Sequence, residues 1–559
     1  MSRLQQSLHL TLFCLLAVSA FAAAPPPHPA VDTLFSAYDR SDSPGCALGV
    51  IRDGEFIYRR GYGMANLEYD LPLGPKSVFR IGSTSKQFTA AAIALLAEQG
   101  KLSFDDPVRR HFPEFPEWAE GMTVRQLIHH TSGIRDYLQL AFLAGKGDDA
   151  DYYPDQWVLD LLSRQRGTNF PPGEQHLYSN SGYLLLAHIV RRVSGQSLRE
   201  YTGEHIFKPL GMHDTHFHDD HNRVVPRRAS GYAPSDDGRF RISMTTLDMV
   251  GDGGVFTTID DLLLWDRNFY DNRLGLGGPD LIDTMTAPGS LNNGGKLNYA
   301  FGLSIDDFEG FTLVSHSGAF VGYRAEMLRF PQQRLSVSVL CNRADAAPSQ
   351  LARQVALLFL PSRPDAQPPK VAAEEPGISL PTGQLREYVG DFWEATEAFA
   401  AETAVEDGKL WAVHSPTRRN ELVPVGPDRF RMVDVPAEVY VTFERDADGI
   451  SGMSRTIDGK PRGQFRPFTK RRATPAELAL YSGTYFSPEL EISYQLHVSD
   501  ERLMFKIPYV AEQELTPMFE ETFENPDYGS FTFERAEDGT VTGFSLQSGR
   551  VRNLSFSRH

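Results

Sequence analysis

The last third of the chain contains a tandem repeat, which restricts the fold more than any other feature of the sequence. Three motifs recur at an offset of 93 residues, and a fourth, Thr442-Phe-Glu-Arg445, recurs at an offset of 90. The three pairs are Tyr388-Val-Gly390 with Tyr481-Ser-Gly483, Asp407-Gly-Lys-Leu410 with Asp500-Glu-Arg-Leu503, and Glu421-Leu-Val-Pro424 with Glu514-Leu-Thr-Pro517. Both copies contain short aromatic and β-branched runs broken by Asp-Gly or Pro, which is typical of small antiparallel β-barrels. We therefore expect two barrel domains of one fold, at residues 383–472 and 474–559.

A proline-rich segment separates this repeat from a larger domain. Six prolines fall between residues 361 and 381, without sustained apolar periodicity. Such a segment indicates an interdomain linker, here over residues 361–382. A domain over residues 28–360 lies upstream of it.

Both ends of the upstream domain have strand patterns. Cys46–Ile51 and Phe56–Tyr62 flank the Asp53-Gly54 pair, which is a hairpin signal. Three more strand patterns close the domain, at Phe311–Ser315, Tyr323–Phe330 and Arg334–Cys341. The segment between them is largely helical, for example at Lys86–Glu98, which is rich in strong helix formers. The predicted fold class is multi-domain α and β: an antiparallel sheet assembled from both ends of a domain, with a helical insertion, followed by two small antiparallel β-barrels.

The first 24 residues are typical of a secretory signal peptide. Arg3 precedes an apolar run from Leu8 to Val18, and small residues follow up to Ala24. The run is shorter than the roughly 18 to 20 residues that span a bilayer. We therefore expect an exported protein, periplasmic or secreted, without stable membrane insertion.

Composition excludes two classes of partner or cofactor. With 55 Lys and Arg against 72 Asp and Glu, the formal charge is -17, which disfavours a surface that binds nucleic acid. Three cysteines are too few for a disulfide scaffold or a thiolate metal cluster.

A candidate nucleophile lies at the start of the predicted helix, in Ser83-Thr-Ser-Lys86. A spacing of three residues brings the hydroxyl and the amine onto one helix face, so Lys86 can accept the Ser83 proton. The helix N-terminus favours the developing negative charge. Alone the motif is weak, because an N-capping serine followed by a surface lysine has the same pattern.

Two further motifs offer proton transfer and substrate binding. Tyr178-Ser-Asn180 lies between a turn and a helical run, where a phenol can shuttle protons and an amide can bind a carbonyl. Tyr270-Asp-Asn272 has the same spacing but lacks that context. His316-Ser-Gly318-Ala319 lies on the first of the three late strands, where the glycine allows a ligand close to the strand edge and the Ala319 N–H can bind an oxyanion.

Taken in order, these motifs resemble the serine β-lactamase and penicillin-binding-protein superfamily. The branch with the greatest likeness holds class C β-lactamases, D-alanyl-D-alanine carboxypeptidases, D-aminopeptidases and related esterases. Flanking segments that are similar to the family are Val78-Phe-Arg-Ile-Gly-Ser83, Leu127-Ile-His-His-Thr-Ser-Gly133, Pro209-Leu-Gly-Met212 and Gly253-Gly-Val-Phe-Thr-Thr258. The resemblance covers roughly residues 30 to 360.

The resemblance implies a role for each candidate residue. Ser83 would be the acylated nucleophile, with Lys86 as its activating partner. Tyr178 would relay the proton to the leaving group, and Asn180 would hold the substrate. The N–H groups of Ser83 and Ala319, beside Gly318, would form the oxyanion hole. His316 stands where β-lactamases of this branch usually have Lys in Lys-Thr-Gly.

This departure decides which activity we expect. His-x-Gly is more familiar from the D-aminopeptidase and carboxypeptidase branches, and two barrels after the catalytic domain are also a D-aminopeptidase-like arrangement. The resemblance thus implies a serine hydrolase without metal or organic cofactor, acting through an acyl-enzyme on a small peptide, amino-acid amide or ester. An esterase or a weak β-lactamase on the same fold is the alternative. The barrels would either cover the active-site mouth or bind a partner.

The resemblance also places the strand that ends at Cys341 antiparallel to, and beside, the strand that begins at Cys46. The two cysteines could then face each other, and either a disulfide or two thiols would fit this arrangement.

Two alternative functions, a metal-dependent hydrolase and a non-catalytic binding protein, compete with the serine hydrolase. His216-Phe-His218-Asp219-Asp220-His221, with His213 and Asp214 upstream, matches a zinc-ligand string of metal-dependent hydrolases. Here the string follows no strand-like run, so a solvated polar loop is the simpler interpretation of residues 213 to 221. A non-catalytic binding protein that keeps the fold is the other reading, but it would not require Ser83, Lys86 and Tyr178 together.

Overall fold

The computed structural model describes residues 28–361 except 148–150, and residues 377–559 except 397, 416, 417, 436, 437, 448, 458 and 509. The predicted signal peptide and most of the predicted linker lie outside these described residues. Within them, no helix is long and apolar enough to cross a membrane.

The N-terminal domain (residues 28–361) is built on a six-stranded antiparallel sheet to which both ends of the domain contribute. The strands of the domain are β1 (Cys46–Arg52), β2 (Glu55–Tyr62), β3 (Met64–Asn66), β4 (Leu71–Pro72), β5 (Phe79–Arg80), β6 (His216–Phe217), β7 (Tyr232–Pro234), β8 (Phe240–Ile242), β9 (Val255–Thr257), β10 (Ser304–Phe308), β11 (Phe311–Phe320), β12 (Tyr323–Phe330) and β13 (Leu335–Cys341). The order in the main sheet is β10-β11-β12-β13-β1-β2. This order confirms the predicted sheet, in which the front hairpin pairs with the three strands at the back.

Helices cover both faces of the sheet. They are α1 (Pro29–Leu34), α2 (Lys86–Glu98), α3 (Val108–His111), α4 (Val124–Ile128), α5 (Tyr137–Leu143), α6 (Asp155–Ser163), α7 (Asn180–Ser194), α8 (Leu198–Thr202), α9 (Lys208–Leu210), α10 (Ile259–Asn268), α11 (Asp280–Thr286) and α12 (Pro348–Phe359). Along β1, Ala47 and Leu48 belong to two different apolar clusters, because successive side chains of a strand point to opposite faces. The larger cluster contains α2 and α7, which pack against each other.

One strand is longer than the sequence predicts. The predicted strand pattern covers Phe311–Ser315, with the His316-Ser-Gly318-Ala319 motif at its end, whereas β11 runs from Phe311 to Phe320. The extension forms because β12 pairs with β11 from Val314 to Phe320. The opposite edge of β11 pairs with β10 over residues 311–315, and no other described strand pairs with residues 316–320, which therefore form a free edge in this part of the structure.

The C-terminal part forms two closed antiparallel barrels of eight strands each, which confirms the predicted β-barrels. The first barrel contains β14 (Gly390–Glu394), β15 (Phe399–Glu406), β16 (Lys409–Ser415), β17 (Arg418–Gly426), β18 (Arg429–Met432), β19 (Val439–Asp446), β20 (Gly449–Ile457) and β21 (Lys460–Phe468), and α13 (Thr382–Leu385) precedes it. The second contains β22 (Gly483–Ser487), β23 (Ile492–Ser499), β24 (Arg502–Lys506), β25 (Gln513–Phe519), β26 (Thr522–Asn525), β27 (Gly529–Arg535), β28 (Val541–Ser548) and β29 (Val551–Arg558), preceded by α14 (Pro475–Ala479).

The two barrels differ in how they relate to the N-terminal domain. The core of the second barrel is continuous with the large apolar cluster of that domain, whereas the first barrel has a core of its own. At the junction, the Tyr494 hydroxyl donates to the Leu143 carbonyl over 2.8 Å. The rings of Phe142 and Tyr528 lie 4.8 Å apart beside it. Helix α5 therefore rests directly on the second barrel.

Cys46 and Cys341 form a disulfide. They are opposite each other in the pairing of β1 with β13, at the first and last residues of those strands. Of the two arrangements that the resemblance left open, the disulfide is the one present.

Candidate active site

Ser83 and Lys86 lie at the start of α2, at the centre of the N-terminal domain. Ser83 belongs to a 3-10 turn, Gly82–Ser85, and the α-helix itself begins at Lys86. The Lys86 Nζ atom lies 3.3 Å from Ser83 Oγ, so the spacing of three residues brings amine and hydroxyl together as predicted. Ser83 is partly exposed, whereas Lys86 is completely buried.

Burial favours the neutral form of Lys86, although its contacts with oxygen atoms and aromatic rings suit the ammonium. Besides Ser83, its Nζ donates to Asn180 Oδ1 over 2.9 Å and to the Asp252 carbonyl over 2.5 Å. The rings of Tyr178 and Tyr183 lie 4.8 and 5.4 Å from it. Burial lowers the pKa of Lys86 to about 7, and the charge of Asp252 opposes this shift only in part. A substantial fraction of the amine is therefore neutral at neutral pH and able to accept a proton.

Tyr178 precedes α7 and presents its hydroxyl to the buried side of the site. Its ring packs on His130, with the ring centroids 4.2 Å apart. Among the described residues, the buried hydroxyl has no hydrogen-bond partner, although it is close enough to Ser83 for that residue to oppose the rise in its pKa that burial causes. A buried phenol without a partner is a group available to a ligand. The second Tyr-x-Asn motif lies elsewhere, where the Tyr270 ring contacts Arg334.

Asn180 is the first residue of α7, and Asp136 fixes its position. The Asn180 backbone N–H donates to Asp136 Oδ2 over 2.7 Å. The other oxygen of Asp136 accepts the N–H groups of Leu138 and Gln139 and so caps α5. One buried carboxylate thus ties the start of α5 to the start of α7, a function that no motif in the sequence indicated.

His316 lies on β11, on the same side of the site as Tyr178. Its Nδ1 lies 2.6 Å from the Ser317 carbonyl, so Nδ1 carries the proton and donates it there. Burial, with the charge of Lys86, lowers the pKa of His316 to about 4, so the ring is neutral at pH 7. Its Nε2 therefore accepts from the Tyr299 hydroxyl, 3.0 Å away. Tyr299 is a residue of the site that sequence reasoning missed, because no motif surrounds it.

The free edge of β11 comes very close to the turn that holds Ser83. A Cβ atom at Gly82 would lie 2.7 Å from the Ala319 nitrogen, and one at Gly318 would collide with the Ile81 carbonyl. Thr84 Oγ1 donates to the His316 carbonyl over 3.3 Å across the same contact. Only glycines permit this approach, which brings the backbone of Ser83 and Ala319 to the wall of one cavity.

That cavity has a volume of about 50 Å³ and includes Ser83 in its wall. Its lining combines backbone, apolar and charged groups. The lining residues are Arg80, Gly82, Ser83, Tyr137, Leu138, Asn180, Leu247, Met249, Asp252, Gly253, Ala319 and Phe320. Tyr178 and His316 do not line it, so the two sides of Ser83 differ in chemistry.

The histidine string from 213 to 221 forms no comparable site. His216 Nε2 and His218 Nδ1 are 3.4 Å apart, while His221 pairs with Asp248 over 3.0 Å. Among the described residues, no group of three His, Cys, Asp or Glu side chains is arranged to hold a metal ion.

Known proteins resemble this chain in both sequence and fold. Residues 31–360 match the family described as Beta-lactamase. Penicillin-binding protein 4* of Bacillus subtilis (strain 168) is 31% identical over 412 residues, which are 70% of this chain and 89% of that protein. A D-aminopeptidase of Gluconobacter oxydans (strain 621H) is 31% identical over 334 residues, which are 59% of this chain and 62% of that protein. The match thus spans less than two thirds of the D-aminopeptidase.

A solved structure gives the same fold. The octameric penicillin-binding protein homologue from Pyrococcus abyssi superposes with a TM-score of 0.57 and 24% identity, over 78% of this chain and 99% of that chain. The sheet with its helical insertion, the match to the family over residues 31–360 and the two relatives agree. The chain belongs to the beta-lactamase family, as a serine hydrolase of the β-lactamase fold.

Proposed function

We propose that the protein is exported and that it cleaves small amides or esters through an acyl-enzyme on Ser83, in the manner of a D-aminopeptidase or D,D-carboxypeptidase. One observation carries the mechanism: Lys86 Nζ lies 3.3 Å from Ser83 Oγ, and burial lowers the pKa of this lysine to about 7. A neutral amine at this distance can take the hydroxyl proton, which a lysine with an ordinary pKa could not do at neutral pH.

Acylation then follows from the arrangement of the other groups. The Ser83 oxygen attacks the substrate carbonyl as its proton passes to Lys86, and the carbonyl oxygen becomes an oxyanion. The N–H groups of Ser83 and Ala319 stabilise this charge. When the carbon–nitrogen bond breaks, Tyr178 gives its proton to the leaving amine and regains one from Lys86. The proton taken from Ser83 thus leaves with the first product, and a water molecule later hydrolyses the ester on Ser83.

The charge state of His316 and the similarity to known relatives both favour peptides over β-lactams as substrates. A neutral imidazole offers no positive charge to the carboxylate of a β-lactam, so we expect poor turnover of such compounds. The D-aminopeptidase relative and the two barrels support small peptides or amino-acid amides with a D residue. The second candidate is a weak β-lactamase or an esterase, and the 31% identity to Penicillin-binding protein 4* supports a reaction with β-lactams.

Export is supported by two features of the chain. The apolar run from Leu8 to Val18 precedes small residues that suit signal-peptide cleavage. The disulfide between Cys46 and Cys341 suits an oxidising compartment.

The test treats the purified mature protein with a fluorophosphonate, with and without a chelator, followed by peptide mapping by mass spectrometry. We expect label on the Ser83 peptide in both samples, and loss of turnover in Ser83→Ala. Turnover is then compared on D- and L-alanyl anilides, a short-chain aryl ester and a chromogenic lactam. Equal rates on the two anilides would contradict D-specificity. An unlabelled Ser83 together with inhibition by the chelator would contradict the acyl-enzyme and point to residues 213–221.

A further inference from the structure

The turn between β28 and β29 of the second barrel reaches the active site. Gly549 and Arg550 form this two-residue turn, and Gly549 has a φ of +51°, which suits a glycine in the first position of a hairpin turn. The Arg550 carbonyl accepts the N–H of Asp136 over 3.3 Å and the Asn169 side chain over 2.9 Å. The turn is therefore fastened to the loop that positions α5 and α7.

The side chain of Arg550 lies over Tyr178. Its guanidinium carbon is 4.8 Å from the centroid of the Tyr178 ring. The side chain is 45% exposed, and its ion-pair partner is Asp136 Oδ2 at 3.5 Å. That oxygen already accepts the Asn180 N–H over 2.7 Å. Among the described residues, the Arg550 guanidinium makes no contact shorter than this ion pair, which involves Nη1, so the N–H groups of Nε and Nη2 are available to a ligand.

Other cations of the two barrels lie on the same side of the site. Arg552 donates to Gln175 Oε1 over 3.1 Å, three residues before Tyr178 in the chain. The charge of Arg462, in the first barrel, adds to burial in lowering the pKa of His176. This side is cationic although the whole chain carries a formal charge of -17. An anionic group is therefore favoured here, against the general charge of the protein.

The position of Arg550 beside Tyr178 indicates which half of the substrate it contacts. Ser83 lines the cavity beside Ala319 and Phe320, whereas Tyr178 does not. In the mechanism proposed above, Tyr178 protonates the leaving amine, so the leaving group lies beside Tyr178. Arg550 borders that position, because its guanidinium carbon lies 4.8 Å from the centroid of the Tyr178 ring.

We propose that Arg550 binds the free carboxylate of the leaving amino acid, so that the second barrel completes the substrate site. A planar guanidinium pairs with a carboxylate through two parallel hydrogen bonds, which gives orientation as well as affinity. The preferred substrates are then short peptides with a free carboxyl group on the residue after the cleaved bond, rather than amino-acid amides. This inference rests on the proposed function, because it assumes that Tyr178 faces the leaving group.

The test compares D-alanyl-glycine with D-alanyl-glycinamide, which differ only in the charge of the leaving group. For the full-length mature enzyme, we expect kcat/KM to be about 10- to 100-fold higher for the free carboxylate, mainly through a lower KM. Arg550→Gln should bring the ratio of kcat/KM for the two dipeptides to about one, and Arg550→Lys should keep part of the preference. Added salt should reduce the preference of the unmodified enzyme.

Arg502→Gln is the matched control, because Arg502 pairs with Glu514 on the surface of the same barrel and does not approach the site. Its preference should equal that of the unmodified enzyme. Equal rates on the two dipeptides, equal losses on both in Arg550→Gln, or no cleavage of either while Ser83 still reacts with the fluorophosphonate would each overturn the inference. Failure of Ser83 to react would instead overturn the proposed function.

Discussion

Arg135 of the N-terminal domain donates from Nη1 to Oε2 of Glu489, in the second barrel, over 2.6 Å. The two side chains are 3% and 1% exposed. The same guanidinium also donates to the carbonyls of Arg552 and Asn553 on β29. Since Arg135 directly precedes Asp136, this contact joins the barrel to the loop that positions Asn180.

We expect Glu489→Gln to weaken the attachment of the second barrel. The substitution leaves the positive charge of Arg135 buried without its partner, which typically costs about 3–5 kcal/mol. Calorimetry should show a lower Tm, and the preference for D-alanyl-glycine over its amide should fall because the Arg550 turn loosens. The neighbouring Glu491→Gln is the control. Glu491 is exposed, and its carboxylate oxygen lies 3.5 Å from the Arg164 guanidinium, too far for a strong ion pair. Equal Tm values for the two variants would contradict this expectation.

The pH dependence of kcat/KM should follow the ionisation of Lys86. Burial lowers its pKa to about 7, and only the neutral amine accepts the Ser83 proton. We therefore expect kcat/KM to rise about tenfold per pH unit below that value and to level off above it. Arg550 adds to the lowering of this pKa, so Arg550→Gln should move the midpoint to higher pH. A flat profile between pH 5 and 8 would exclude Lys86 as the base.

Tyr299→Phe should disturb catalysis through His316. The Tyr299 hydroxyl donates to His316 Nε2 over 3.0 Å, and its loss leaves the ring held only by Nδ1. We expect kcat to fall about tenfold, the equivalent of one hydrogen bond, with a smaller change in KM. In a double-mutant cycle, Tyr299→Phe should have no further effect once His316 is replaced by Gln. Additive losses would show that Tyr299 acts independently of His316.

Glu524, at the contact between the two barrels, should make stability depend on pH. Its Oε1 accepts the Ala400 N–H over 2.8 Å, and burial raises its pKa to about 7. The folded state therefore holds a proton that the unfolded chain releases near pH 4.5, so stability falls as pH rises between those values.

Glu524→Gln removes this ionisation. We expect it to raise Tm by about 4 °C or more at pH 8.5, with little change at pH 4.5. The exposed Glu537→Gln should change Tm at neither pH. The same gain at both pH values would show that the ionisation of Glu524 is not the cause.

The parts of the fold that were predictable rest on local patterns. The Asp53-Gly54 turn and the alternation in β13 place two of the sheet strands, and the repeat indicates the barrels. Ser83 and Lys86 are recognisable together because a helix brings residues three apart onto one face. The rest of the site depends on contacts between distant segments. Tyr299 lies in a loop without a motif, and Arg550 reaches Tyr178 from another domain.

The Cys46–Cys341 bond turns most of the N-terminal domain into a covalently closed ring, because the two cysteines are 295 residues apart. Ser83, Tyr178 and His316 all lie inside this ring, whereas Arg550 lies outside it. A single protease cut within the ring leaves every catalytic candidate on one covalent molecule until the bond is reduced. A cut after the ring, before the first barrel, instead leaves Arg550 on a separate polypeptide, which only noncovalent contacts such as that of Arg135 with Glu489 hold beside Ser83. After such a cut, Arg550 and Ser83 can part without reduction of the disulfide.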